Sequence, residues 1–294
     1  MMASQADKPS VSFEFFPPKT LEMEKALWDA LCDLAPLEPA FVSVTYGAGG
    51  TTRERTHATV SRIVKETGLT VAAHLTCVDA TREEIETVAR GYWSEGVRHI
   101  VALRGDPPTG QTKYVPHTDG YAYAADLVAA LRAVAPFELS VAAYPETHPE
   151  AVSSDLDIDN LKRKVDAGAV RAITQFFFDN DLFFRFRDRV VAAGVKIPLV
   201  PGIMPVGNFK NMMRFADTCG AGVPDLMAAA YEGLDDDPAA RAEVGKRLAS
   251  EQCLDLCSNG VNDFHFYTLN RSELTGAVCA NLGVTGGGPE IDLK

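Results

Sequence analysis

His99-Ile-Val-Ala-Leu-Arg-Gly-Asp-Pro-Pro108 runs from a strand straight into a loop. Ile100 to Leu103 are four apolar residues in a row, the pattern of a strand covered on both faces. Arg104, Gly105 and Asp106 follow at once, and Pro107-Pro108 stop the strand. A cation, a bare backbone and an anion thus occupy three positions at a strand's carboxyl end. In barrels and open α/β sheets that is the end where ligands bind. The plainer alternative is an Arg104–Asp106 ion pair closing a surface loop, and this stretch alone favours function only slightly. The other strands decide.

Seven more segments read as strands: Val11–Phe16, Phe41–Tyr46, Val71–Thr76, Leu139–Tyr144, Ala172–Phe178, Leu199–Ile203 and Phe264–Leu269. Each of the eight precedes a helical pattern. Thr20 is placed to cap the first helix, and Thr51-x-x-Glu54 and Thr81-x-x-Glu84 read as capping boxes. A helix is expected from Tyr121 to Val134 and another from Asp155 to Ala167. Asn180 caps the next, and Asn270-x-x-Glu273 the last. Strict alternation implies a parallel sheet, and eight units predict an α/β fold of the (β/α)8 TIM-barrel type. An open doubly wound sheet is the runner-up. It would more often carry a nucleotide fingerprint after its first strand, where this chain has Phe15-Phe-Pro-Pro18; Gly47-Ala-Gly-Gly50 is not G-x-G-x-x-G.

The 294 residues suit one barrel domain at 11–283, with a loose tail at 1–10 and a flexible end at 284–294. Lys plus Arg is 28 and Asp plus Glu is 40, giving a net charge of −12. An acidic chain without a basic run argues against nucleic-acid or anionic-membrane partners. No apolar run approaches the ~20 residues that span a bilayer, and Met1–Ser10 has no signal-peptide core. The six cysteines are scattered, with no Cys-x-x-Cys pair, so free thiols in a reducing cytoplasm are expected.

In a barrel the carboxyl rim would gather Glu14, Thr45, Tyr46, His74, Arg104, Asp106, Tyr144, Gln175, Tyr267 and Arg271. Polar groups that end apolar strands are costly unless hydrated or bonded to a ligand. Glu14 alternates with Phe13 and Phe15, so it points into the barrel. Poor solvation there would raise its pKa and make it a candidate general acid; a buried salt bridge to Arg104 or Lys19 is the equal alternative. Asp106 could bind a metal, pair with Arg104 or accept from a heterocycle's N–H. The absence of a second clustered carboxylate or a His-x-His argues against metal. His74, alone on an apolar strand, is given a ligand contact only. Gln175 could read a planar ring or bond a neighbouring loop. Asp157, Asn160, Arg163 and Lys164 share a helix edge that could hold a diphosphate, although an ordinary solvated face is the stronger reading from spacing alone.

Ser12-Phe-Glu-Phe-Phe-Pro-Pro18, Val42-Ser-Val-Thr-Tyr-Gly-Ala48, Ala73-His-Leu-Thr76, Leu103-Arg-Gly-Asp106, Val141-Ala-Ala-Tyr-Pro-Glu-Thr-His-Pro-Glu-Ala151, Asn160–Gly168, Ile173–Asp179, Pro201-Gly-Ile203 and Asp263–Arg271 resemble bacterial methylenetetrahydrofolate reductase. The likeness runs from about residue 11 to 283, in the same order on every strand. It implies a flavin-dependent barrel in which NADH or NADPH reduces FAD and the folate substrate, 5,10-methylenetetrahydrofolate, then takes the hydride. By the same match Glu14 is the general acid that opens the folate's five-membered ring at N10. Asp106 stands between flavin and pterin, where an anion favours hydride transfer to the cationic iminium. Tyr46, Ala48, His74, Arg104, Gly105, Asp106, Ala124, Tyr144, His148, Ala151, Asp157, Asn160, Arg163 and Lys164 match FAD contacts. Thr45 matches a residue near the nicotinamide, and Gln175 one that serves both substrates. Phe215 and Arg271 match the substrate site. Asn211 stands where the family often has Gln, and its shorter amide would need a water to reach the pterin. The family also implies a homo-oligomer. A non-catalytic flavin- or folate-binding barrel and a metal-assisted aldolase are the rivals.

Overall fold

The computed structural model describes residues 8–46, 53–107, 110–111, 113–288 and 291. Eight parallel strands close in sequence order: β1 (Ser10–Phe15), β2 (Phe41–Val44), β3 (Val71–Thr76), β4 (His99–Leu103), β5 (Glu138–Ala143), β6 (Arg171–Phe176), β7 (Leu199–Ile203) and β8 (Asp263–Tyr267), with β8 paired to β1. The helices are α1 (Leu21–Leu34), α2 (Arg53–Thr67), α3 (Arg82–Ser94), α4 (Ala124–Val134), α5 (Ser154–Asp166), α6 (Asn180–Ala192), α7 (Phe209–Cys219), α8 (Asp225–Ala230), α9 (Pro238–Ser258) and α10 (Glu273–Asn281). The predicted (β/α)8 barrel is therefore the fold.

Alternation along each strand sorts the core into two shells. Phe13, Phe15, Val42, Val44, Phe264 and Phe266 pack outward against Leu27, Leu31 and Ile63 of the helices. Phe41, Ala72, Val101, Ile173 and Val200 pack inside. At the amino-terminal end the interior turns polar. His99 bonds Ser140 at 2.7 Å, and Arg171 bridges to Glu138 at 2.5 Å. Burial, reinforced by the Arg171 charge, pushes His99 down to about 3, so this imidazole is neutral at any physiological pH.

Local chemistry sets most element ends as predicted. The Thr20 hydroxyl accepts from Met23 N–H, and Thr81 and Glu84 form a reciprocal capping box. Three readings need correction. The fourth helix begins at Ala124, because the Tyr121–Tyr123 backbone is still non-helical and Tyr123 is the N-cap. Asp179, not Asn180, caps α6 by accepting from Asp181 N–H; Asn180 instead donates to Gln252 O at 3.0 Å. Asn270 caps nothing. Its amide accepts from Phe16 N–H and donates to Phe16 O, both at 2.9 Å, and it sits at φ 56°, a conformation that Asn tolerates. The Thr51 capping box, Gly47–Gly50 and Pro108 lie outside the described residues. At the other end Val284 is buried, and Gly287 and Gly288 donate to Pro36 O at 3.0 and 3.1 Å.

Candidate active site

The strand registers define the layer that becomes the site. Glu14 pairs with Ser43, and Ser43 with Ala72, two residues before His74. The same step leads from His74 through Val101 and Ser140 to Ala142, and from Ala142 through Ile173 and Val200 to Gly202. From Gly202 it passes through His265 and Ser12 back to Glu14. Alternate strands thus contribute Glu14, His74, Ala142 and Gly202 to one layer, as in barrels of this class. Two large polar groups share it with a methyl and a hydrogen, and the Tyr267 ring covers the position of the hydrogen. Ala142 is half-exposed although it lies on an interior face.

Gly202 is fixed by its neighbours. A Cβ there would stand 2.2 Å from Thr174 O and 2.6 Å from the Tyr267 ring. Tyr267 crosses this position to donate its hydroxyl to Thr174 O at 2.7 Å, and Gly202 N–H turns to Thr174 Oγ1 at 2.9 Å. Pro201 has no N–H for the ladder, and the β6–β7 register slips between Ile173 and Phe176. Gln175 falls within that irregularity, half-buried, its side-chain oxygen accepting from Phe176 N–H at 3.0 Å.

Glu14 is held by imidazoles, not by Arg104 or Lys19. Its Oε2 lies 3.4 Å from His74 Nε2 and 3.4 Å from His265 Nε2, with 17% of the side chain exposed. Ser12 Oγ holds the far nitrogen of His265 at 2.7 Å. The expected upward pKa shift is overturned in the free protein. Burial does raise the carboxyl, but attraction from His74, together with the hydrogen bond and charge of His265, brings it below its ordinary value. Burial holds His74 below its ordinary value, with Glu14 pulling the other way. His265 and Ser12 were not singled out from sequence. Their shared face with Glu14 appears only once the β1–β8 register is known.

On the β3–β5 side the site is cationic. Arg104 pairs with Glu150, not with Asp106, and its guanidinium lies 4.5 Å over the Tyr114 ring. Lys164 is buried and donates to Ala142 O at 2.9 Å. Burial pushes it down to about 8, against the pull of Asp157. Asp157 bonds neither Asn160 nor Lys164 directly but accepts from His148 N–H at 3.1 Å. Ala151 N–H closes on His148 O at 2.8 Å, and the His148 ring meets Tyr144 edge-on at 4.6 Å. Burial and the Arg104 charge lower His148. Asn160 is half-buried and Arg163 exposed on the same helix. Gly105 sits at φ 89° with Thr76 and Val78 against it, so no side chain fits. Tyr46 is buried with its hydroxyl toward Arg53, and Ala124 is buried at the start of α4. Ala48 lies outside the described residues.

Asp106 is exposed at the mouth, where its charge raises the Tyr144 phenol after burial has done so. Tyr267 in turn feels Glu14 and Tyr144, so Glu14, Tyr267, Tyr144 and Asp106 form a chain of neighbours, each within electrostatic reach of the next. Thr45, half-buried, donates through its N–H to Phe15 O at 2.9 Å. Asn211 and Phe215 are exposed one turn apart on α7, and Arg271 is exposed after β8. Among the described residues no group of three or more His, Cys, Asp or Glu side chains could hold a metal ion. No helix among them is long and apolar enough to cross a membrane, and all six cysteines are free.

The arrangement fits a flavin dinucleotide on the β3–β5 side. A buried lysine within electrostatic reach of Arg104 suits a diphosphate, and the small, half-exposed Ala142 suits the approach of a flat ring. Thr76 Oγ1, at the end of β3, is buried with no hydrogen-bond partner among the described residues.

A family model described as methylenetetrahydrofolate reductase matches residues 1–283. Proteins named 5,10-methylenetetrahydrofolate reductase from Salmonella typhimurium and Escherichia coli are each 55% identical over 278 residues, covering 95% of this chain and 92% of theirs. An Arabidopsis thaliana relative named methylenetetrahydrofolate reductase (NADH) 1 is 36% identical over 96% of this chain but 49% of its own length. Among solved structures, a Clostridium thermocellum protein described as binding two copies of 5-methyl-5,6,7,8-tetrahydrofolic acid aligns with a TM-score of 0.60. At 14% identity over 94% of both chains, it shares the fold alone.

Proposed function

The chain belongs to the methylenetetrahydrofolate reductase family, and we propose that it reduces 5,10-methylenetetrahydrofolate to 5-methyltetrahydrofolate with electrons from NADH or NADPH. The two substrates use the site in turn, with FAD resident between the half-reactions. The observation that carries this reading is the carboxyl of Glu14 set at the floor of the mouth between two imidazoles.

FAD, when bound, supplies the relay that accepts hydride from the nicotinamide and returns it to the one-carbon unit. Arg104, His148 and Lys164 would hold its diphosphate, with Tyr46, Ala48, Gly105, Ala124, Tyr144, Ala151, Asp157, Asn160 and Arg163 as the remaining contacts. Gln175 and Thr45 orient whichever substrate occupies the other side. Phe215, Asn211 and Arg271 receive the rest of the folate.

Glu14 donates a proton to N10 of the folate. The bond from N10 to the bridging carbon breaks, its electron pair stays on N10, and the carbon becomes a cationic iminium on N5. The anionic side chain of Asp106 at the mouth stabilises that cation. The acid form of Glu14 is scarce in the free protein, because the imidazoles favour the carboxylate. A pterin ring expels water and strengthens the effect of burial, which drives the carboxyl toward the acid form that the step needs. His265, tethered by Ser12, holds the carboxyl in place.

The purified protein should be yellow, should bleach with NADH under anaerobic conditions, and should recover its colour with methylenetetrahydrofolate. Binding of both ligands without this cycle would make it a binding module instead. A homo-oligomer is part of the proposal, and sedimentation velocity tests it. So is a reducing cytoplasmic setting, which the six free thiols support.

A further inference from the structure

Thr76 ends β3 on the face that carries His74, and its side chain is 3% exposed. Its hydroxyl has neither donor nor acceptor among the described residues. Gly105 packs against it: a Cβ added at Gly105 would stand 3.0 Å from Thr76 Cβ. Burying a hydroxyl unpaired destabilises the fold. A valine would fill the same volume without that cost. We propose that Thr76 is a positioning residue for the flavin, its hydroxyl completed by a hydrogen bond to a polar edge of the isoalloxazine. This rests on the FAD reading above and adds a residue to it.

Two signatures separate this role from a structural one. Without FAD, Thr76→Val should melt at or above the wild-type temperature, because an unpaired hydroxyl is removed. With FAD, Thr76→Val should bind about 3- to 10-fold more weakly, the loss of one ordinary hydrogen bond. Its bound-flavin absorption band and midpoint potential should shift. Thr76→Ser should bind like the wild type, and Thr76→Ala should weaken binding as valine does if valine fails to fold. Titration of apoprotein with FAD, followed by flavin fluorescence and spectroelectrochemistry, reads all of these. Valine and alanine variants that bind FAD with wild-type affinity and spectrum overturn the inference and leave the FAD reading standing. A wild-type apoprotein that takes up no FAD overturns both.

Discussion

Glu14 Oε2 and His265 Nε2 face each other at 3.4 Å across the β1–β8 seam, and Ser12 braces the same imidazole from its other nitrogen at 2.7 Å. Glu14 and its brace stand on neighbouring strands, and in the proposed mechanism only the folate half-reaction uses the acid. Glu14→Gln should therefore leave flavin reduction by NADH near wild type and slow reoxidation by methylenetetrahydrofolate ~10²–10⁴-fold, the usual worth of a general acid. Stopped-flow measurement of the two half-reactions checks this. A normal folate half-reaction would falsify the acid assignment.

Asp106, the charge proposed to lie between the two rings, is within electrostatic reach of Tyr144. Asp106→Asn should raise the midpoint potential of bound flavin, because a nearby anion disfavours the reduced, negative form. Spectroelectrochemistry decides, and an unchanged potential removes the electrostatic role.

Lys164 sets a pH window. Its folded value is about 8, and an unfolded lysine titrates near ~10.4. Below 8 both states are charged, and the folded state bears the full cost of the buried cation. Between about 8 and 10 the unfolded state holds more protons, so stability rises with pH across that interval. FAD binding should move the other way, weakening toward about tenfold per pH unit above 8 as the cation is lost. Lys164→Met should flatten both profiles. Urea melts and FAD titrations from pH 7 to about pH 10 test the pair of slopes.

Gly202→Ala forces a methyl against Thr174 O and the Tyr267 ring. Tyr267 must release its hydrogen bond or the bulge must open. Either should cost at least about 1–3 kcal/mol, read from the urea midpoint, and should impair folate turnover more than FAD binding.

Asn270→Ala removes both hydrogen bonds to Phe16 and leaves alanine at φ 56°. A loss of about 2–3 kcal/mol is expected. Asn270→Gly, which relieves the backbone but not the bonds, should lose less. Equal losses would place the whole effect in the hydrogen bonds.

The barrel was legible because its strands are apolar runs that end abruptly in polar residues, as Leu103-Arg-Gly-Asp106 does. Period and punctuation are local, and local signals survive in a sequence. Pairing is not local. Glu14 was placed inside the barrel by its alternation with Phe13 and Phe15, yet its partners lie about 60 and 251 residues away on β3 and β8. Its pKa direction was misread for that reason: the burial was visible and the imidazoles were not. His265 carries the same signal as His74, a lone histidine in an apolar strand, and only the register separates a packed ring from a brace. Asn270 mimicked a capping spacing, and the competing bonds to Phe16 belong to the far end of the chain. The slipped register of β6 and β7 follows from Pro201, whose missing N–H was plain in the sequence but whose neighbour was not.

The first strand is hydrogen-bonded to the last, and Thr268 and Asn270 fasten the exits of both. Closing so long a loop must be met in entropy before its contacts return anything. During synthesis β1 therefore waits, one edge bare, until nearly the whole polypeptide has left the ribosome. The residue proposed as the acid, Glu14, is among the first to be made and among the last to be housed. A chaperone that shields that edge should raise the yield of active protein more than one acting after closure.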